Sequence, residues 1–244
     1  SESGIEASGI GITCANINGT QIGGRRNIVI NGAMNIAQRA TTYTGTNNYH
    51  TVDRFLTSVG GLDENCTFDQ VDVSAGTTPY TLGFRKAFKI TNGNQTSGAG
   101  SGDYVQIQTR LEAQDIANCG WNYTSTSSFV TLQFWVKSSV AQNFYCYIRC
   151  KDGTAQMYPF ETGSLSANTW TKIVKTIPGN SNLTFDNDNN EGFQINISPF
   201  WGTDYTASSV TLNAWGGYNG GGRTPDYTST WYTTNDATFE ITGV

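Results

Sequence analysis

The stretch "FVTLQFWVKSS", residues 129–139, places Val130, Leu132, Phe134 and Val136 on one side of an extended chain and Thr131, Gln133 and Lys137 on the other, together with Trp135. Successive side chains of a strand point to opposite faces, so this alternation predicts a strand in a sheet covered on one side. Blocks of the same character recur along the chain: "DYVQIQTRL", "NFYCYIRC", "TWTKIVKTI", "GFQINIS" and "ATFEITGV". Between them lie turn-forming links such as "KDGTA", "IPGNSN" and "DNDNNEG", and only "RLEAQDIAN" has the composition of a turn or two of helix. Many short strands separated by turn signals predict an all-β fold, a β-sandwich.

The chain has 244 residues, a length that all-β sandwiches commonly use as one domain. Charged residues make up 14% of it and glycine accounts for 28 positions, which disfavours long surface helices and favours strands joined by polar turns. The net charge of -5 argues against a nucleic-acid partner, because affinity for a phosphate backbone comes from neutralising it with Lys and Arg. No window holds the ~18 apolar residues of a membrane span, and "SESGIEASGIG" lacks the basic and apolar regions of a signal peptide. The expectation is a chain with neither membrane insertion nor an export address. Its start on Ser1 and its end on a strand-like block predict a processed or partial product of a longer protein.

Several chemistries lack their residues. Cys14, Cys66, Cys119, Cys146 and Cys150 form no C-x-x-C pair, and a strand over "NFYCYIRC" would set Phe144, Cys146, Ile148 and Cys150 on one face and Tyr145, Tyr147 and Arg149 on the other. Cys146 and Cys150 then read as small core residues, roughly 13 Å apart and beyond reach of a mutual disulfide. His50 is the single histidine, so neither a His-rich zinc site nor a triad with a spare histidine can be built within one chain. A glycosidase needs two carboxylates about 5 to 10 Å apart, and the spacing of Asp53, Asp63, Glu64, Asp103, Glu112 and Asp115 singles out no pair. Asp53 is expected to pair with Arg54, and Glu112 and Asp115 suit a short helix. "DNDNNEG" (Asp186, Asp188, Asn190, Glu191) misses the glycine and glutamate positions of an EF-hand and reads as a solvated turn. No catalytic residue, metal or cofactor is therefore expected.

Residues 1–26 spread Ile5, Ile10, Ile12, Ile17 and Ile22 among Gly, Ser and Asn, with no aromatic residue. Such a segment cannot bury a core alone: it is either disordered or packed against copies of itself in a narrow fibre, and its isoleucine content favours the extended, self-packed stem. It leads into "RRNIVINGAMNIAQRATT", residues 25–42, where Asn31-Gly32 stands between two short alternating runs. A hairpin turn and a kinked or bulged strand both fit that pattern.

Taken together and in order, "NIVINGAMNIAQRATT", "YHTVDRFLT", "TRLEAQDIANCG" with "FVTLQFWVKSS", "NTWTKIVKTIPG" and "ATFEITGV" resemble a family of bacteriophage virion proteins. These are tail fibres and related appendages of marine and cyanobacterial phages with a jelly-roll domain like that of carbohydrate-binding modules. The resemblance spans nearly all of residues 27–244 and implies a jelly roll there, with residues 1–26 as the end of a fibre shaft. It also implies that Asn31-Gly32 kinks the first strand at the sandwich edge. Carbohydrate-binding modules that open similarly often carry a calcium-holding Glu where this chain has Asn35, a departure that weakens any calcium inference.

The segment "NAWGGYNGGGRTPDYTSTWYTTNDAT", residues 213–238, is longer and more aromatic than the family's counterpart. Sugars stack their C–H faces on aromatic rings while polar side chains read the hydroxyls, and long loops on a rigid sandwich display such groups. Trp215, Tyr218, Arg223, Tyr227, Trp231 and Tyr232 are therefore the candidate glycan-binding residues, with Trp215 the most structural of them by resemblance. The expectation is a homotrimeric virion appendage, attached to other virion proteins through its stem and binding host-surface polysaccharide. The alternative is a structural decoration or connector protein of the particle, with the jelly roll as a protein-protein module.

Overall fold

The computed structural model describes residues 27–244, together with a short antiparallel ladder in which β1 (Asn16–Ile17) pairs with β2 (Thr20–Gln21). The expected stem over residues 1–26 otherwise lies outside the described residues.

The predicted strands form where the alternation placed them. "DYVQIQTRL" becomes β7 (Tyr104–Glu112), "FVTLQFWVKSS" β8 (Phe129–Ser138) and "NFYCYIRC" β9 (Asn143–Cys150). "TWTKIVKTI" becomes β11 (Thr171–Pro178), "GFQINIS" β12 (Glu191–Trp201) and "ATFEITGV" β14 (Thr238–Thr242). The other strands are β3 (Thr42–Thr44), β4 (Phe55–Gly60), β5 (Thr67–Asp72), β6 (Lys86–Thr91), β10 (Gln156–Ser164) and β13 (Gly216–Gly217). Among the described residues helix is confined to short turns: α1 (Thr78–Thr81), α2 (Ala113–Ala117) and α3 (Thr230–Thr233). The helix expected in "RLEAQDIAN" shrinks to α2, because Arg110, Leu111 and Glu112 pair with β12 as the end of β7.

Two six-stranded sheets pack face to face, in the orders β13-β10-β9-β12-β7-β4 and β11-β8-β14-β6-β5-β3. All strand pairs are antiparallel, and the chain repeatedly crosses from one sheet to the other, as in a jelly roll: β7 to β8, β8 to β9, β10 to β11, β11 to β12 and β13 to β14. Between the sheets lie Phe55, Ile107, Phe144, Cys146, Ile148 and Phe160 from the first and Phe68, Phe88, Ile90, Phe134, Phe239 and Ile241 from the second, all buried. Each of the Phe and Ile side chains contributes about 1.5 to 3 kcal/mol by leaving water. Cys146 and Cys150 are core residues as expected, and burial pushes the Cys146 thiol up to about 12.

The opening segment departs from both expectations. Residues 28–36 form neither a hairpin nor a kinked strand but a turn docked against Val244, just past the last strand. Asn31 adopts φ 61° and Met34 φ 59°, conformations in which strand pairing cannot continue. The Asn31 amide replaces that pairing: it accepts the Ile36 N–H (3.0 Å) and donates to the carbonyls of Ile36 and Asp53 (both 2.9 Å). Gly32 accepts the Val244 N–H at 3.0 Å, and a Cβ there would overlap the Val244 carbonyl. Met34 is buried in the core, whereas Ile30 and Ile36 stay about half exposed.

Candidate functional site

A strand buried on one side has a second face to account for. On β7 the inner face carries Val105, Ile107 and Leu111, so Tyr104, Gln106, Gln108 and Arg110 point outward. On β12 Phe193, Ile195 and Ile197 point inward and Gln194, Asn196 and Ser198 outward. On β9 the outward residues are Tyr145, Tyr147 and Arg149, as its alternation predicted. Register then sets these residues in rows: Leu56, Gln108, Asn196 and Tyr147 lie side by side on four adjacent strands, and Arg110, Gln194 and Arg149 form the next row.

The rows floor a groove of about 340 Å³. Its floor is a buried amide network in which Gln106 Nε2 and Gln108 Nε2 donate to Asn196 Oδ1 at 2.6 and 2.7 Å. Asn196 Nδ2 in turn donates to the Tyr147 carbonyl at 3.3 Å. Tyr147 is 3% exposed, and burial holds its hydroxyl well above its ordinary value against the opposing charges of Arg223 and Arg149. Tyr147, Arg149 and Arg223 all line the groove.

Aromatic rings and cations form the walls. Tyr104 stacks on Trp201 (4.7 Å, 18°), and Tyr205 meets both rings near edge-on at 5.5 and 4.8 Å. The Arg223 guanidinium lies over Trp201 at 4.5 Å and Tyr205 at 4.8 Å, and the Arg149 guanidinium lies over Tyr218 at 3.7 Å. At the far end Glu191 sits between Lys151 (3.1 Å) and Arg110 (3.6 Å). Glu191 is the one carboxylate among the groove-lining residues. A second cavity, of about 310 Å³, opens between the sheets beside Asn27–Val29, but its lining is predominantly core side chains such as Leu132, Ile148 and Phe193.

The candidates from the 213–238 segment divide. Tyr218 and Arg223 line the groove, as neighbours of Arg149 and Trp201. Trp215 wedges the loop onto the sandwich: its indole N–H donates to the Pro178 carbonyl at 2.7 Å and its ring packs on Tyr158. The Tyr227 hydroxyl donates to the Tyr145 carbonyl at 2.7 Å, which fastens the loop to β9, and burial pushes its pKa well up. Trp231 and Tyr232 must be corrected. Both are 0% exposed, on α3, which plugs one end of the core, so neither can offer a ring to a ligand. The lone apolar pair in "TSTWYTTND" is a core insertion without the periodicity that would mark it.

Tyr104, Tyr147, Arg149, Trp201 and Tyr205 also line the groove, and of these the sequence sets only Tyr147 and Arg149 apart from the core, through the outward alternation of β9.

The carboxylates considered for catalysis are scattered in structural roles. Asp53 pairs with Arg39 (3.6 Å) rather than Arg54, which adopts φ 71° ahead of β4. Asp63 accepts the Ser97 N–H at 2.6 Å, Glu64 the Asn94 N–H at 2.7 Å and Asp103 the Gly100 N–H at 2.6 Å. Glu112 accepts from Gln114, and Asp115 lies in the first turn of α2. In "DNDNNEG" the Asp186 N–H donates to Asp152 and Asn190 donates to Asp188, and among the described residues no group of three or more His, Cys, Asp and Glu is placed to hold a metal ion. His50 stacks on Tyr43 with centroids 3.6 Å apart. Among the described residues no helix is long and apolar enough to cross a membrane.

No protein-family model matches the chain, and no curated protein matches it in sequence. Among solved structures it is similar to the enzymatically active domain of tailspike protein 4 of bacteriophage CBA120, at 13% identity and a TM-score of 0.40. The match covers 72% of this chain and 20% of that one, so this chain spans about a fifth of that protein's length.

Proposed function

We propose that this protein is a carbohydrate-binding component of a phage particle whose groove on the outward face of β10-β9-β12-β7-β4 holds host-surface polysaccharide. The observation that carries the reading is the pairing of half-buried rings (Tyr104, Tyr205, Tyr218) with a fixed network of amide and guanidinium groups in one groove. Rings supply flat apolar faces for sugar C–H bonds, and side chains held by their neighbours read hydroxyls with little ordering cost. The phage assignment rests on the sequence motifs from "NIVINGAMNIAQRATT" to "ATFEITGV". In this reading the chain is a tail or head fibre's terminal domain on the virion surface, trimeric through residues 1–26, which also join it to other virion proteins.

The geometry favours binding over hydrolysis. A glycosidase needs two carboxylates about 5 to 10 Å apart, and the groove offers Glu191 alone, already engaged by Lys151 and Arg110. A connector role predicts instead that the groove is covered by another virion protein.

The test is binding of the full chain to extracted host-surface polysaccharide, with Tyr205→Ala/Tyr218→Ala as the comparison. Loss of two stacking rings should weaken binding by about tenfold or more while the fold persists. Unchanged binding by the folded double variant, or no binding by the parent chain, overturns the proposal.

A further inference from the structure

The groove's charge is opposite to that of the molecule. The chain as a whole carries 19 acidic and 14 basic residues, yet the groove lining holds Arg110, Arg149, Lys151 and Arg223 against Glu191 alone. Three lysines elsewhere are matched in cross-strand pairs: Lys86 with Asp72 at 2.6 Å, Lys89 with Asp69 at 3.2 Å and Lys137 with Glu240 at 2.9 Å. Glu191 takes up Arg110 and Lys151 in the same way. Arg149 and Arg223 are different. Neither makes an ion pair or side-chain hydrogen bond among the described residues, and the Nε of each is buried without a partner. Their guanidinium faces rest on Tyr218 and on Trp201 and Tyr205, which fixes the planes and leaves the N–H edges as the unused donors.

A buried donor without an acceptor is costly, and a guanidinium edge is shaped to meet the oxygens of an acid group. Resting on the carbohydrate reading of the groove, we infer that its ligand is an acidic polysaccharide, with an anionic group of one sugar seated between Arg149 and Arg223 above Tyr147. The rings that hold the arginines also stack the neighbouring sugars, so charge and stacking select one ligand class together. A neutral sugar could satisfy the rings and offer hydroxyl oxygens to the guanidinium edges, but it would leave both positive charges uncompensated.

The experiment measures binding of the full chain to polygalacturonate, its carboxyl-reduced neutral counterpart, dextran sulfate and neutral dextran by isothermal titration calorimetry. Parent protein is compared with Arg149→Gln, Arg223→Gln and Arg149→Lys, each checked for an unchanged melting temperature. At least one acidic polymer should bind about tenfold or more tighter than its neutral counterpart, and each Gln variant should lose about tenfold of that preference. Arg149→Lys should lose less, and raising salt from about 50 to about 500 mM should weaken acidic binding alone. Binding of polygalacturonate without dextran sulfate assigns a carboxylate, and the reverse assigns a sulfate ester. Equal binding of acidic and neutral polymers, untouched by the Gln substitutions, overturns the inference and leaves the carbohydrate reading standing. Binding to none of the polymers overturns the inference, and the carbohydrate reading is then decided separately by the host-polysaccharide titration.

Discussion

Replacing Trp231 with Ala separates the packing role of the 213–238 segment from the binding role proposed for it. The Trp231 ring is 0% exposed, meets Phe239 edge-on at 6.5 Å and donates its indole N–H to the Thr238 carbonyl at 3.1 Å. That carbonyl keeps a second donor, the Ser139 N–H at 3.0 Å, so the substitution does not orphan it. The cost is therefore dominated by the lost ring and the cavity it leaves, about 3 to 5 kcal/mol. In a domain of this size each kcal/mol moves the melting temperature by about 2 to 4 °C, which gives a fall of about 6 to 20 °C. Tyr218→Ala is the control. Its ring is half-buried on the groove wall, its backbone N–H bond to the Ala155 carbonyl (2.8 Å) survives, and the stacking of Arg149 is worth about 0.5 to 1 kcal/mol. Thermal melts followed by circular dichroism should thus show a large fall for Trp231→Ala and at most about 4 °C for Tyr218→Ala, while polysaccharide binding shows a loss for Tyr218→Ala. A Trp231→Ala protein that melts within about 2 °C of the parent would refute the placement of this ring in the core.

Other expectations follow from single contacts. Gly32→Ala drives a methyl group into the Val244 carbonyl and should lower stability by about 1 to 3 kcal/mol in a denaturant titration; an unchanged midpoint would mean that the opening turn does not dock on Val244. Cys66, Cys146 and Cys150 are buried, with the Cys66 thiol pushed up to about 12, so a thiol reagent such as Ellman's should leave all three unmodified in the native protein and titrate them in denaturant. Mass mapping that finds native modification at any of the three contradicts their burial. Hydrogen bonds from the Ser97 N–H and hydroxyl hold the Asp63 carboxyl below its ordinary value. A depressed folded-state pKa adds stability above the unfolded value, near pH 4, and loses it as pH falls through the folded value. The stability advantage of the parent over Asp63→Asn should therefore be present at neutral pH and shrink in acid; a pH-independent difference speaks against these bonds.

What the sequence disclosed depended on whether one segment sufficed. The inward alternation of β8 or β9 is a property of a few consecutive residues, and it correctly separated Cys146 and Ile148 from Tyr147 and Arg149. β10 was harder to read because Pro159 and Gly163 interrupt "QMYPFETGS". Proline is tolerated there because β13 covers β10 only at Gln156 and Met157, leaving Pro159 on an edge. The groove needed more than one segment. Gln108, Asn196 and Tyr147 become neighbours only through the order β9-β12-β7, in which chain-distant strands pair after crossing between the sheets. Singly, each reads as a solvated polar position. Trp231 and Tyr232 misled for the opposite reason, since hydroxyl and amide neighbours marked a loop while the fold drew the two rings into the core.

The remaining question is how a glycine-rich segment can form a wall firm enough to hold Arg149 and Arg223 in place. Its attachments supply the answer. Gly216 and Gly217 pair with β10 as β13, the Tyr218 N–H is taken by Ala155, and Arg223 donates its backbone N–H to the Tyr205 carbonyl at 2.8 Å. A parallel bridge joins Thr206 to Thr224, the Thr206 hydroxyl donates to Asp226 at 2.6 Å, and Tyr227 is fastened to β9. The segment is thus tied on both sides of residues 219–222, and the ties fall next to the two groove residues it contributes, Tyr218 and Arg223. Side chains positioned before a ligand arrives forfeit little ordering entropy on binding, so in the proposed role affinity can come from a few contacts. The Gly220–Gly222 tip, whose bonds run to Asn219 within the same turn, is where a change of length or sequence would alter the proposed ligand fit, while the amide floor built on Asn196 and the sandwich beneath it stay as they are.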